Sequence, residues 1–290
     1  MAESTGIEWT DITWNPVRGC SRKSAGCANC YAERVALRFS GPGQPYEGLV
    51  KRTSQGPRWT GTVRTLPELL DQPLRWRTPR RVFVNSMSDL FHEDVPDSFI
   101  ESVWDVMAKT SAPNCGRPHP GHTYQILTKR PERMLSVVSS LCGKAGSPLP
   151  NVHLGVSVED QATADERIPL LLQTPAAVRF ISAEPLLGPV DLTPEADETY
   201  QRLSEWYGPG GFDEAGSQPP LTRMQGYFPR IDWVIAGGES GPGARPMHPD
   251  WARSLRDQCQ SAGLPFFFKQ WGDWAPDRGT ETFDTAKGHN

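Results

Sequence analysis

The chain repeats one arrangement along most of its length: a short apolar run, a polar stop, then a longer stretch with apolar residues at helical spacing. Arg81-Val82-Phe83-Val84-Asn85-Ser86 is the clearest such run, too short for a core helix and too continuous for a strand with one wet face. Ser98 and Glu101 follow at capping-box spacing, ahead of Phe99, Ile100, Val103, Trp104 and Met107 on one helical face. Tyr124-Gln125-Ile126-Leu127-Thr128 repeats the run, and Pro131 has the fixed φ that opens a helix. Further strands are expected over 151–158, 178–182, 231–236 and 264–268. Helices are expected over 162–173, interrupted by Pro169, and from Pro249 to Gly263. A first strand falls within 7–14, and Tyr31, Val35 and Phe39 then share one face of a short helix. Buried strands alternating with helices make a parallel sheet. About six or seven such units fit an α/β fold, a partial (β/α) barrel of about six or seven parallel strands in one domain over 1–290. Residues 191–230 break the rhythm with acidic, Pro- and Gly-rich sequence and read as an insertion, and 273–290 read as a C-terminal tail.

The loop after the first strand holds three cysteines in eleven residues, Cys20, Cys27 and Cys30, spaced C-x6-C-x2-C. A structural zinc site closes with four ligands, whereas three thiolates leave a position open. An iron–sulfur cubane held by three cysteines has one iron free for a ligand that is not protein. The other readings are a zinc knuckle completed by a distant histidine, or three independent thiols. Cys115, Cys142 and Cys259 are scattered. Cys115, His119 and His122 have C-x3-H-x2-H spacing, but the intervening prolines favour a surface loop over a metal site.

The sequence has no run of eighteen apolar residues and no signal-like N-terminal region, so a cytoplasmic protein with no membrane span is expected. In that compartment thiols are ligands or catalytic groups more often than disulfides. The net charge of −4 excludes a generally basic nucleic-acid coat. The distribution is uneven. Residues 51–81 carry net +6 with Trp59 and Trp76 among the arginines, and 151–220 carry net −9. A basic, aromatic-laced segment suits phosphates and stacked bases, and equally a solvated connection.

Polar residues gather after the strands: Ser86, Ser88 and Asp89; Thr128, Lys129 and Arg130; Ser157 and Glu159; Ser182 and Glu184; Gly237, Gly238, Glu239 and Ser240. Parallel strands present their C-terminal ends on one face, where such folds place their sites. The cysteine loop opens on that face too. The glycines of Gly237-Gly238-Glu239-Ser240-Gly241-Pro242-Gly243 allow close backbone approach to a ligand, but the run is not a dinucleotide fingerprint, because the next helix starts only near Pro249.

Four pieces together carry a resemblance: Ile7-Glu8-Trp9-Thr10-Asp11-Ile12-Thr13-Trp14-Asn15-Pro16, the loop ending Cys27-Ala28-Asn29-Cys30-Tyr31-Ala32, Gln125-Ile126-Leu127-Thr128-Lys129-Arg130-Pro131, and Gly237-Gly238-Glu239-Ser240-Gly241. The chain resembles a phage-associated family of uncharacterised radical S-adenosylmethionine-like proteins, often encoded beside a "three-Cys-motif partner" protein. More distantly it is similar to spore photoproduct lyase, whose relatives use C-x3-C-x2-C; the longer first gap here departs from that pattern. The resemblance implies a radical S-adenosylmethionine fold in which Cys20, Cys27 and Cys30 hold a [4Fe–4S] cluster and S-adenosylmethionine chelates the fourth iron. An electron donor would feed the cluster, and reductive cleavage would release a 5′-deoxyadenosyl radical to abstract hydrogen from a substrate. It also implies cofactor contacts: Tyr31 near the adenine; Ser86, Ser88 or Asp89 near the methionine amino group; Ser157 near the ribose; Lys129 or Arg130 at the carboxylate. Glu184, Gly237, Gly238 and Glu239 complete the candidate set at the later strand ends. The substrate that the basic segment suggests is nucleic acid or a nucleotide. The competing readings are a metal-stabilised nucleic-acid-binding phage protein without turnover, and a distinct metalloenzyme such as a nuclease.

Overall fold

A computed structural model describes residues 5–111, 121–193, 231–276 and 283–285. Cys115, most of the 191–230 insertion and much of the 273–290 tail lie outside the described residues. Seven strands form one sheet: β1 (Ile12–Trp14), β2 (Arg81–Val84), β3 (Thr123–Thr128), β4 (Val152–Ser157), β5 (Val178–Ala183), β6 (Trp233–Gly237) and β7 (Phe266–Gln270). They lie side by side in chain order and every neighbouring pair is parallel. β1 and β7 are the edges, so the curled sheet is a half-barrel rather than a closed ring.

Alternation sorts each strand into an outer and an inner row. Ile12, Trp14, Val82, Val84, Tyr124, Ile126, Leu154, Val156, Ile181, Val234 and Ala236 face outward into the main core. Helices α2 (Asp97–Lys109), α3 (Pro131–Ala145), α4 (Gln161–Gln173) and α5 (Pro249–Ser261) supply its other half through residues such as Val103, Met134, Ile168 and Leu255. Both helix expectations at α2 and α4 need adjustment. Ser98 does not cap α2, because Asp97 is already helical and Pro96 is the N-cap. The capping box belongs to α4, where Asp160 and Thr163 bond reciprocally. Pro169 does not interrupt α4, since Ile168, Leu171 and Leu172 bury against the sheet and offset the lost hydrogen bond.

The inner row holds a second, aromatic cluster of Trp9, Phe83, Phe180 and Ile235, with Trp233, Leu127 and Phe267 against it. Trp9 precedes β1 and is not itself in a strand. Its ring lies 4.7 Å from Phe83 on β2 and 6.3 Å from Phe180 on β5. One side chain spans three inter-strand steps only because the sheet curls around it. Gly155 on β4 makes room for this floor: a Cβ there would sit 2.5 Å from the Phe180 ring.

A third cluster stands apart, on the polar-loop side. Helix α1 (Tyr31–Arg38) packs on a hairpin of Val50–Thr53 and Gly56–Trp59 through Ala32, Ala36, Tyr46, Leu49, Val50 and Trp59. The ribbon Val17–Arg18 with Arg64–Thr65 ties this layer back to β1. Among the described residues no helix is long and apolar enough to cross a membrane.

Candidate functional site

The cysteine loop leaves β1 through Gly19, whose φ of +87° and approach to Thr62 exclude a side chain; a Cβ would lie 2.2 Å from the Thr62 carbonyl oxygen. Gly19 also bridges Ser88 beyond β2, so the loop begins as a short extension of the sheet. Cys20 and Cys30 are partly buried against the hairpin layer beside Met87. Cys30 is the N-cap of α1, where the Ala32 and Glu33 amides favour its thiolate form. The Lys23 amide donates to Cys27 Sγ at 3.5 Å, and Arg130 Nη1 approaches Cys20 Sγ at 4.0 Å. Burial pushes the Cys20 thiol up to about 12, Asp89 adds to that, and Arg130 opposes it. Burial raises Cys30 as well. Cys20 senses the charge of both Cys27 and Cys30, so the three thiols share one neighbourhood. They are not gathered into a finished site: among the described residues no three His, Cys, Asp or Glu side chains stand as a metal-binding group. The other described cysteines, Cys142 and Cys259, are buried in the main core.

Three carboxylates hold this loop in place. Glu159, past the end of β4 and 0 % exposed, accepts from Ser24 Oγ at 2.8 Å and from Lys129 Nζ at 2.6 Å. Arg167 of α4 binds the same carboxylate at 3.2 Å. Burial alone would raise the Glu159 pKa, but Lys129 and Arg167 outweigh it and hold the group below its ordinary value. Gly26 packs directly on this carboxylate. Glu239, past β6, accepts from Asn29 Nδ2 at 2.9 Å and from Arg245 Nη2 at 2.6 Å, while Arg245 also donates to the Ala25 carbonyl. Burial raises Glu239 and is again outweighed, here by Arg245 and Asn29. Glu33, on α1, takes Arg22 at 2.6 Å and Arg58 at 3.7 Å, and both arginines reach the Ala28 carbonyl.

A fourth knot joins the loop to the ends of β2 and β3. Asp89 accepts from Thr128 Oγ1, the Lys129 amide and Arg130 Nη1 at 2.8–3.2 Å. Arg130 continues to Ser21 Oγ at 2.7 Å and to Glu93 at 2.8 Å. Buried His92 closes the ring on Ser21 Oγ at 2.8 Å; burial lowers its pKa and Arg130 lowers it further. Asp89 and Arg130 are therefore engaged with each other and with the loop.

The remaining candidates divide by what they touch. Ser88 Oγ donates to the Val17 carbonyl and Ser86 Oγ to Asn15 Oδ1, so both shape the β2 turn. Tyr31 is 50 % exposed and its hydroxyl donates to the Ser86 carbonyl, which places its ring at the rim. Ser157 is buried on β4, where its carbonyl accepts from Arg167. On the far side Glu184 accepts from Ser182 Oγ at 3.1 Å and pairs with Lys269 at 2.9 Å. Gly237 leaves room for Glu184, since a Cβ there would meet its Oε1 at 2.6 Å; Gly238 leaves room for the Trp271 carbonyl at 1.9 Å. Glu239 bonds the cysteine loop directly and Lys129 is joined to it through Glu159, so the two ends of the candidate set lie at one pole.

Sequence reasoning missed Asn85. It follows β2 with φ +59°, is 3 % exposed, and neither amide atom has a hydrogen-bond partner. A left-handed, non-glycine residue with a buried, unpartnered amide is strained twice over. The only sequence signal was an Asn at a strand end, the residue type that best tolerates this conformation. Asn29, Arg245 and Lys269 were missed because each acts across more than 80 residues or from a helix-free loop with no motif.

The family described as "Protein of unknown function (DUF5131)" matches residues 4–290. The chain belongs to the DUF5131 family. No curated protein and no solved structure matches it. In this DUF5131 member the family match takes in the cysteine loop, all seven strands and every candidate residue above.

Proposed function

We propose that this DUF5131 protein is a radical S-adenosylmethionine enzyme, with Cys20, Cys27 and Cys30 as ligands of a [4Fe–4S] cluster. The observation that carries this reading is the mounting of the three-thiol loop, braced by Glu159, Glu239 and Glu33, over the C-terminal strand ends of an open parallel half-barrel. The donor set suits such a group: three thiols, with amide and guanidinium donors beside their sulfurs and α1 starting at Cys30. Metal binding has to draw the sulfurs together and displace their protons, which the raised Cys20 and Cys30 values make pH-dependent. Held by these three thiolates, a cluster would pass one electron, drawn from a separate donor, to the sulfonium of S-adenosylmethionine, so that the C–S bond breaks to methionine and a 5′-deoxyadenosyl radical.

The chain's own residues then have separable roles. Arg130 and the α1 amides offset thiolate charge. Asn85 offers a donor and an acceptor, already desolvated, for the polar end of the cofactor. Tyr31 covers the rim with an aromatic face. The Glu184–Lys269 pair lies across the strand ends and suits a substrate with adjoining donor and acceptor groups.

Anaerobic reconstitution with iron and sulfide tests the reading. A brown protein with about four irons per chain, which releases 5′-deoxyadenosine from S-adenosylmethionine under reduction, is the expected result. The Cys20→Ala, Cys27→Ala and Cys30→Ala variants should each lose both properties. A colourless protein holding one zinc, or iron uptake indifferent to all three substitutions, would replace the proposal with the zinc-knuckle alternative.

A further inference from the structure

The layer built on the cysteine side carries a charge of its own. Residues 17–64 contain nine Lys and Arg against only Glu33 and Glu47, in a chain whose net charge is −4. Five of the nine are used internally: Arg22 and Arg58 on Glu33, Arg34 on backbone carbonyls, Arg64 on the Glu47 carbonyl, and Arg18 over the Tyr46 ring. Lys23, Arg38, Lys51 and Arg52 are exposed, with no ion pair among the described residues.

Most of these cations flank the candidate site. On α1, Tyr31, Arg34 and Arg38 fall on one face at helical spacing. That face is turned to the site, because Tyr31 reaches the Ser86 carbonyl and Arg34 the Ser240 carbonyl. Arg38 continues the row outward, and Phe39 after it is 47 % exposed. On the hairpin, Lys51 stands opposite Arg58, and directly opposed residues project to the same side. Arg58 touches the Ala28 carbonyl of the cysteine loop, so Lys51 shares that side. Lys23 is in the loop itself. The arginines that look most like a basic patch in sequence are placed elsewhere: Arg81 pairs with Asp11 at the start of β2, and the Arg80 carbonyl accepts from Thr123 at the start of β3, at the opposite pole.

We infer that this layer docks a single-stranded nucleic acid beside the cysteine loop, with phosphates on Lys23, Arg38 and Lys51 and bases stacked on Tyr31 and Phe39. Isolated exposed cations at a site mouth fit a polyanion, and exposed rings between them fit unpaired bases, which any sequence provides. A duplex hides its base faces and would use the cations alone. The inference deepens the enzyme reading and rests on it only for what happens to the bound strand, not for the docking.

The test measures anisotropy of a fluorescein-labelled twelve-nucleotide single strand across a salt series, on the full chain, for wild type, a Lys23→Glu/Arg38→Glu/Lys51→Glu triple variant and, as a control, Arg77→Glu, at an exposed arginine in the segment leading into β2. Wild type should bind the single strand more tightly than the duplex of the same sequence. The triple variant should lose roughly tenfold or more in affinity, and its log K against log [salt] slope should flatten by about 2, near 0.7 for each phosphate no longer neutralised. A Tyr31→Ala/Phe39→Ala variant should lose affinity without changing the slope. Charge-neutral Lys23→Gln/Arg38→Gln/Lys51→Gln repeats the test if the reversed charges perturb folding. No single-strand binding by wild type, an unchanged slope in both triple variants, or equal competition by polyglutamate would overturn the inference, the last in favour of an acidic protein partner. Iron content after reconstitution is measured on the same variants. Wild type that takes up iron without binding the strand counts against docking alone, and wild type that binds the strand without taking up iron counts against the enzyme reading alone.

Discussion

A methyl group added at Gly26 measures how firmly the cysteine loop is braced. In Gly26→Ala the new Cβ would lie 2.4 Å from Glu159 Oε1, 2.5 Å from its Cγ and 2.7 Å from its Cδ. Ordinary contact begins near ~3.5 Å, so either the loop or the carboxylate must move by about an ångström. The carboxylate is poorly placed to yield: it is fully buried and bound by Lys129, Arg167 and Ser24. If the loop moves instead, the Ser24 bond breaks and the thiols shift with it. Overpacking costs about 1–3 kcal/mol, and loosening a charged, buried hydrogen bond adds about 1–2 kcal/mol, which gives roughly 3 kcal/mol of destabilisation. The same substitution at Gly143 is the matched control. Gly143 lies exposed within α3 with nothing near its Cβ position, so Gly143→Ala should stabilise by about 0.8–1 kcal/mol through helix propensity. Urea unfolding of the two variants and wild type reads the difference as midpoint shifts of opposite sign at constant slope. Thiol labelling of the folded protein should also accelerate in Gly26→Ala only. Equal midpoints for Gly26→Ala and wild type, with unchanged labelling, would refute the idea that Glu159 fixes the loop.

Three further outcomes follow from the same geometry. Glu159→Gln leaves Lys129 and Arg167 facing a neutral amide and should cost about 3 kcal/mol at pH 7. Because the native Glu159 pKa lies below its ordinary 4.5, this stabilisation is present above that value and fades as pH falls through the depressed one, so the two unfolding curves should converge on acidification. Asn85→Gly should raise stability by about 1–2 kcal/mol, by relieving the left-handed backbone and removing two unpartnered polar atoms. It should weaken S-adenosylmethionine binding in equilibrium dialysis, and unchanged binding would remove Asn85 from the site. In metal-free, reduced protein at pH 8, Cys20 should alkylate far more slowly than a free thiol, as mass spectrometry of the labelled peptides can show.

The sheet was legible because its strands are apolar on both faces, a pattern that few structures other than buried parallel strands produce. Six of the seven strands lie close to where that pattern places them. The first is the exception: only Ile12–Trp14 is strand, because Trp9 turns under the sheet instead of extending it. The polar clusters after the strands lie at the pole that carries the cysteine loop, but the pairings among them cannot be read locally. Asp89 and Glu239 look like ligand-binding groups in sequence, yet each is already bound, to Arg130 and to Arg245. Such pairings join residues 41 apart or cross a loop, and nothing local encodes them. The basic stretch was legible in part: the direction of β2 alone sends Arg80 and Arg81 to the pole opposite the rim and leaves Lys51, Arg52 and Arg58 as the phosphate candidates, and the structure places Arg81 and Lys51 in that way.

The aromatic floor closes the inner face of the half-barrel toward the strand starts. Trp9, Phe83, Phe180 and Trp233 pack there with rings 4.7–6.3 Å apart, at the opposite end of the sheet from the cysteine rim. The floor is not made by the sheet alone. Its central ring comes from the segment ahead of β1, which folds back beneath strands that pair without it. Shelter and architecture are thus separable in this chain: removing that one ring would leave seven paired strands around an unfilled base.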